Sequence, residues 1–405
     1  MRTKPLRSVI PALLLVVGLG VAACSSSGGS SSSATSAASS SAPAASSTSA
    51  AASTPSASAS SAGAVDYTAL LQKAMQVQPS HYEGPTTPDK APAGIKVASI
   101  SCNQQLQGCV DLSAGVAQAA QAAGWQERTF DGQGSPTTQN TQILNAISWG
   151  AKVILLIAVD PAQVQIGLKA AKAAGDVIIS CNNAGSSPNP TIPPVAGDVW
   201  PIGDVLQNQQ EQGADEADWM IADSKGTANV LALNDNGFLS VKPDIDGFLN
   251  ELKTCSGCTA AQVTFASADV GPALGQIVVG YLRTHPNVNY IFSPYDPAVP
   301  GIVTALHTAG MNTKIKLTAY LGNKENLQLV KNGDVQEADV SEDCNYVGWA
   351  MVDQAIRALD HLPAFTPWDE NSPMQLLTAA NLPSNISVSW DAPFNYRAEY
   401  TKLWK

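Results

Sequence analysis

Seven consecutive apolar residues, Val153-Ile154-Leu155-Leu156-Ile157-Ala158-Val159, constrain the fold of this chain more than any other feature. A strand with one wet face alternates apolar and polar side chains, whereas an unbroken run is covered on both faces, as in a parallel sheet between helices. The flanking sequence supplies those helices. Leu112, Val116, Ala119, Ala120 and Ala123 fall on one face of a helix that Gly124 ends, and Ile143, Leu144 and Ile147 mark a second. A third runs from Pro161, suited to a first helical turn, to Ala174 before Gly175. With strands over Ile95–Ser101 and Val177–Ser180, and a second strand expected between the first two helices, the order is β-α-β-α-β-α-β.

After a loop holding Pro188, Pro190, Pro193 and Pro194, the pattern restarts. Helices over Leu206–Ile221, Ile245–Lys253, Leu274–Arg283 and Val299–Ala309 alternate with strands over Ala228–Leu233, Gln262–Ala266, Val288–Ser293 and Ile315–Tyr320. The expected fold class is α/β, with two doubly wound parallel-sheet (Rossmann-like) lobes joined by a hinge. The roughly 310 residues after Gly94 suffice for two cores. Ligands of open parallel sheets sit at the strands' carboxyl ends, which directs attention to the loops after Ser101, Ser180, Leu233, Ser293 and Tyr320.

The first 24 residues run from a basic start (Arg2, Lys4, Arg7) through an apolar stretch, Val9–Val21, to Ala22-Ala23-Cys24. The stretch is shorter than a ~20-residue span and small residues precede the cut, the layout of an export signal. Val21-Ala22-Ala23-Cys24 resembles a lipobox, which makes Cys24 the lipidated first residue of a mature chain. Ser25–Ala64 consists of Ser, Ala, Thr, Gly and Pro, has nothing to bury, and reads as a flexible tether. The expected organisation is a signal peptide over 1–23, lipidated Cys and disordered tether over 24–64, and an N-terminal helix and linker over 65–93. The first lobe then takes 94–200 plus about 342–362, and the second 201–341 plus about 363–405. No later apolar run approaches spanning length, so the lipid is the only membrane anchor implied, and the expected location is the outer face of the bacterial cell membrane.

Removing Arg2, Lys4 and Arg7 from the 22 basic residues leaves 19 against 33 acidic ones, a formal charge of −14. Nucleic-acid binding calls for a basic footprint and is not expected. Cys24 apart, the six cysteines of an exported chain point to three disulfides. Of the 15 connectivities, local pairing of Cys102 with Cys109 and of Cys255 with Cys258 would leave Cys181 for Cys344. Cys255-Ser256-Gly257-Cys258 also admits a redox or zinc reading, but it lacks a strand-to-helix context, and His81, His285, His307 and His361 fall at no ligand spacing. No Gly-x-Ser-x-Gly elbow or phosphate loop is present, so neither an enzyme nor a cofactor is expected.

The ordered set of features resembles the type I periplasmic binding proteins, in particular the ribose-binding-like branch that serves sugar ABC transporters. The resemblance spans Ile95 to Leu359 and rests on Ile95-Lys96-Val97, Trp149-Gly150-Ala151-Lys152-Val153-Ile154-Leu155, Ala173-Ala174-Gly175-Asp176-Val177-Ile178, and Ile291-Phe292-Ser293-Pro294-Tyr295-Asp296 followed by Ala305-Leu306 and Ala309-Gly310. It implies a monomeric lipoprotein that captures a sugar or other polyhydroxylated small molecule between its lobes and delivers it to a permease. A signalling receptor as partner, or an amino acid or nucleoside as ligand, remains open.

The resemblance also implies a ligand set. Asn103 falls where the family's first loop offers an amide, beside Gln104, while the family's paired aromatics are replaced by Leu106 and Gln107. Cys181-Asn182 stand where the family has Asp-Arg, and this loss of both charges argues against plain ribose or galactose. Lys242 lies near a family arginine, Tyr295 and Asp296 occupy an Asn-Asp pair, Leu321 replaces a carboxylate, and Glu342 is near a hinge glutamine. Phe238 and Tyr295 are the aromatic candidates on cleft loops and Tyr320, ending its strand, completes the ligand set, whereas Trp149 reads as core. Asp296 as a helix cap and Lys242 as a solvated helix start are the plain structural alternatives.

Overall fold

A computed structural model describes residues 66–183 and 196–405. The expected signal peptide, Cys24, the tether and the proline-rich loop lie outside these residues. Helix α1 (Tyr67–Ala74) begins where the Asp66 carboxylate accepts the Ala69 N–H at 3.1 Å. The first lobe follows as β1 (Lys96–Ser101), α2 (Gln107–Ala122), β2 (Gln126–Asp131), α3 (Pro136–Trp149), β3 (Val153–Ile157), α4 (Gln165–Ala173), β4 (Val177–Cys181) and β5 (Asp204–Val205). Its sheet is parallel in the order β2-β1-β3-β4-β5, and every residue of β3 is buried, as its unbroken apolar run requires.

The second lobe continues with α5 (Gln209–Asp223), β6 (Asn229–Asp235), α6 (Val241–Leu252), β7 (Thr259–Phe265), α7 (Pro272–Thr284), β8 (Tyr290–Phe292), α8 (Val299–Ala309), β9 (Lys316–Tyr320), α9 (Lys324–Asn332) and β10 (Gln336–Glu342). After α10 (Cys344–Leu359), β11 (Met374–Thr378) joins the same sheet and α11 (Tyr396–Leu403) ends the order. The sheet runs β11-β10-β9-β8-β6-β7, parallel except for β11, which pairs antiparallel with β10.

The chain crosses between lobes where β10 gives way to α10. Helix α10 packs on α2, and a Cβ at Gly115 or Gly348 would collide with the opposing helix's backbone, so the pair approaches as closely as glycine permits. The C-terminal segment also sits on α10: the Trp349 and Trp404 rings stack at 5.3 Å, and Trp404 Nε1 donates to Asp353 at 2.7 Å. Trp149 packs edge-to-face on Phe130 at 6.2 Å.

Cys102 and Cys109 lie at disulfide separation with Cα atoms 6.2 Å apart, as do Cys255 and Cys258 at 5.4 Å. The expected third pair is corrected: Cys181 and Cys344 are both buried free thiols. Cys181 ends β4 inside the sheet, and the Cys344 thiol turns to the Glu342 carboxylate at 3.7 Å instead.

Candidate functional site

The carboxyl ends of both sheets face a common cleft, divided into an inner and an outer compartment. Lobe 1 lines the inner one with Leu106, Gly108, Cys109, Leu112, Ala158 and Asn182, and lobe 2 with Phe238, Ser240, Tyr295, Pro297, Tyr320 and Leu321. Leu106, Phe238 and Pro297 also line the outer compartment and so form the partition. Space open to the centre of a water molecule is about 50 Å³ inside and about 640 Å³ outside. The outer walls are rich in amides: Asn103, Gln105, Gln107 and Gln133 from lobe 1 face Asn323 and Asn326 from lobe 2.

Three residues with unusual backbone geometry meet at the inner compartment. Ala158, Asn182 and Leu321 each directly follow a strand (β3, β4 and β9) and have φ of 48°, 52° and 124°. Positive φ in a residue bearing a Cβ costs of order 1–3 kcal/mol and collects at functional sites. All three side chains line the compartment. Gly108 lets α2 come close to lobe 2, since a Cβ there would lie 2.8 Å from Leu321 Cδ1.

The expected site residues fall into three groups. Asn182, Phe238, Tyr295 and Tyr320 meet at the inner compartment, and Asn103 stands in the outer one with its Oδ1 accepting the Gln105 N–H at 3.0 Å. Phe238 and Tyr295 pack edge-to-face at 5.7 Å, and the Tyr295 hydroxyl donates to Asp235 Oδ2 at 2.5 Å.

Glu342 and Asp296 lie behind the walls rather than in them. Asp296 Oδ2 accepts the Asn323 N–H at 2.6 Å and its Oδ1 accepts from Gln336 at 3.2 Å. Glu342 accepts from Gln212 Nε2 at 3.0 Å and from the Asn182 side chain. That bond orients Asn182 with its amide NH₂ on Glu342, leaving Oδ1 buried without a partner in the protein.

Two residues are not brought to the cleft. Gln104 turns inward, donating to Ser101 Oγ at 2.7 Å and Ser113 Oγ at 3.1 Å, which ties its loop to α2. Lys242 extends into solvent from the first turn of α6 and pairs with Asp246 one turn on, at 2.5 Å; Ser240 reaches the compartment in its place.

Carboxyl groups dominate the electrostatics beneath lobe 2's wall. Burial pushes Glu342 up to about 7 against the hydrogen bonds from Gln212, Cys344 and Asn182. Burial, with Glu342 nearby, holds Asp244 well above the carboxylate range, and neither of its oxygens has a hydrogen-bond partner. Asp296 is raised by burial and then by Asp339, to which it donates a hydrogen bond; Asp339 is itself raised to about 6 by burial. Tyr320 rises through burial and the neighbouring Asp244 and Glu342. Among the described residues, no Lys or Arg lines either compartment.

Sequence reasoning missed Ala158, Ser240 and Pro297, along with the Asp111 clasp across the cleft. Asp111 Oδ2 on α2 accepts from Ser389 Oγ at 2.7 Å and from Asn323 Nδ2 at 3.5 Å. Asn323 was within reach of the strand-end rule, being three residues past β9.

The family model for the periplasmic binding protein domain matches residues 100–363, and the chain belongs to that family. Membership makes it a binding protein rather than an enzyme. No curated protein matches the chain. Similar solved structures include an ABC transporter solute-binding protein from Mycobacterium smegmatis with bound glycerol (18% identity, TM-score 0.61, covering 74% of this chain and 99% of that one). Another is the Burkholderia graminis solute-binding protein in complex with D-arabinose (20%, TM-score 0.59, 74% and 99%). A third is the 5-methylthioribose transporter solute-binding protein from Thermotoga lettingae with that compound bound (18%, TM-score 0.61, 78% and 95%). These likenesses establish the type I periplasmic binding fold. Among the described residues, no helix is long and apolar enough to cross a membrane.

Proposed function

We propose that the chain is an extracytoplasmic, lipid-anchored solute-binding protein that captures an uncharged, hydroxyl-bearing small molecule of the sugar or polyol class and presents it to an ABC importer. The observation behind this reading is the cleft itself, which takes residues from the carboxyl ends of both sheets and offers amides and hydroxyls without a Lys or Arg. With no Lys or Arg in either wall among the described residues, an anion entering the cleft would lose its water without gaining a counter-charge, which argues against sugar phosphates and against free amino acids bound through their carboxylate. The similar proteins noted above hold glycerol, arabinose and methylthioribose, a range of neutral polyhydroxy compounds.

A thermal-shift screen of the intact chain against sugars, polyols, amino acids and nucleosides tests the reading, because a ligand of the folded state raises the melting temperature. Protection by a neutral polyol or sugar supports it. Protection only by anions or zwitterions defeats it.

A further inference from the structure

The inner compartment is too apolar for a plain polyol. Tyr295 spends its hydroxyl on Asp235, Ser240 bonds Tyr320, and the Asn182 amide NH₂ is held by Glu342. The walls between them are carbon, from Leu106, Leu112, Pro297 and Leu321. A hydroxyl pressed against such a wall loses water without gaining a partner, whereas a methyl, a thioether or a ring edge loses nothing. About 50 Å³ open to water centres compares with the roughly 10–15 Å³ that one water needs, so a small ring or a branch of a few atoms fits. The outer compartment, more than ten times larger by the same measure and lined by amides, suits hydroxyls.

Resting on the solute-binding reading, we infer that the ligand is two-faced: a sugar or polyol whose hydroxyls stay among the outer amides while an apolar substituent passes the Leu106–Phe238–Pro297 partition. Deoxy sugars, sugars with a small alkyl or alkylthio substituent, and aryl glycosides have this form.

The test is calorimetric titration of the intact chain with D-galactose against D-fucose, D-ribose against 5-deoxy-D-ribose, and D-glucose against phenyl β-D-glucoside. Benzyl alcohol alone serves as a probe of the compartment. Benzyl alcohol is expected to raise the melting temperature of the native chain but not of Ala158→Leu, which fills the space. The apolar member of at least one pair should bind about 10-fold tighter or better, and Leu106→Asn should erase that preference while melting as the native chain does without ligand. Failure of benzyl alcohol to protect overturns the inference whatever the sugars do. Plain members binding as tightly as their partners in every pair that binds also overturns it, yet leaves the solute-binding reading standing. Binding by nothing in these pairs or in the broad screen overturns both.

Discussion

At the inner compartment lobe 1 presents mostly carbon, on a cysteine-flanked loop, whereas lobe 2 adds the hydroxyl-bearing Ser240, Tyr295 and Tyr320, which rest on buried carboxyls. In lobe 1, Leu106, Leu112 and Ala158 shape the wall, and the Gln104 side chain and the Cys102/Cys109 pair brace the loop from behind. In lobe 2, Gln336 bridges Asp296 and Asp339, Asn326 donates to Gln336 at 2.9 Å, and Tyr320 stands over Asp244 and Glu342. The difference separates two tasks: lobe 1 sets the shape of what enters, while lobe 2 sets the charge state and the response to pH.

The largest expected effect follows from Glu342. Its folded-state value of about 7 lies above its ordinary value of 4.5, so the folded protein binds the proton more tightly than the unfolded chain does. The resulting stabilisation is fully present below about pH 4.5 and is lost as pH rises through 7, for a total of about 3 kcal/mol. Melting temperature should therefore fall between pH 5 and pH 8, and Glu342→Gln should make that fall shallower, the other raised carboxyls such as Asp339 and Asp343 carrying the remainder. A stability that rises over this window would mean that lobe 2's carboxyls are not held protonated.

Lobe 1's counterpart is the covalent brace. If Cys102 and Cys109 are cross-linked, replacing both with serine should cost about 2–3 kcal/mol, read by denaturant unfolding, with little change in the pH profile. Non-reducing peptide mapping should find Cys181 and Cys344 as free thiols.

How much of this was legible in the sequence varies with the physical signal. Strand and helix order followed from apolar periodicity, and Val153–Val159 correctly required a sheet covered on both faces. Placing sites at strand ends pointed to Asn182, Phe238, Tyr295 and Tyr320, which the structure brings together around the inner compartment. What one-dimensional pattern cannot convey is the direction of a side chain within its loop. Lys242 is one residue into α6 and two from Ser240, yet only Ser240 reaches the compartment. Ala158, an alanine at the end of a core strand, has no chemistry to flag it; its importance lies in a backbone φ of 48°. Cys181 and Cys344 were paired by elimination, which carries no information about distance.

A smaller effect tests Asn182, the polar residue that lobe 1 adds to the inner wall. With its amide NH₂ on Glu342, Oδ1 has no partner in the protein and is an acceptor for a donor on the solute, and Asn182→Ala removes that acceptor. Affinity for the solute identified by the screen should drop roughly 5- to 150-fold by calorimetry, the effect of losing one buried hydrogen bond. Unchanged affinity would assign the polar recognition to lobe 2 and the outer amides alone.

The smallest expected effect concerns what holds the unlike halves together. Asp111 belongs to lobe 1's α2, and its partners Ser389 and Asn323 come from segments that follow lobe 2 strands, so the bonds exist only while the lobes are apposed. Ser389 also accepts the Lys324 N–H at 3.4 Å, which fixes it at the start of α9. A partly exposed clasp of this kind contributes about 1 kcal/mol, and removing it shifts the balance toward separated lobes before any solute arrives. Asp111→Ala should therefore weaken solute binding about fivefold and enlarge the unliganded radius of gyration in small-angle scattering, while leaving the solute's preference for an apolar substituent unchanged. If affinity falls with no change in radius, Asp111 acts on the outer amides through Gln107, which donates to its other oxygen at 2.9 Å, and not on closure.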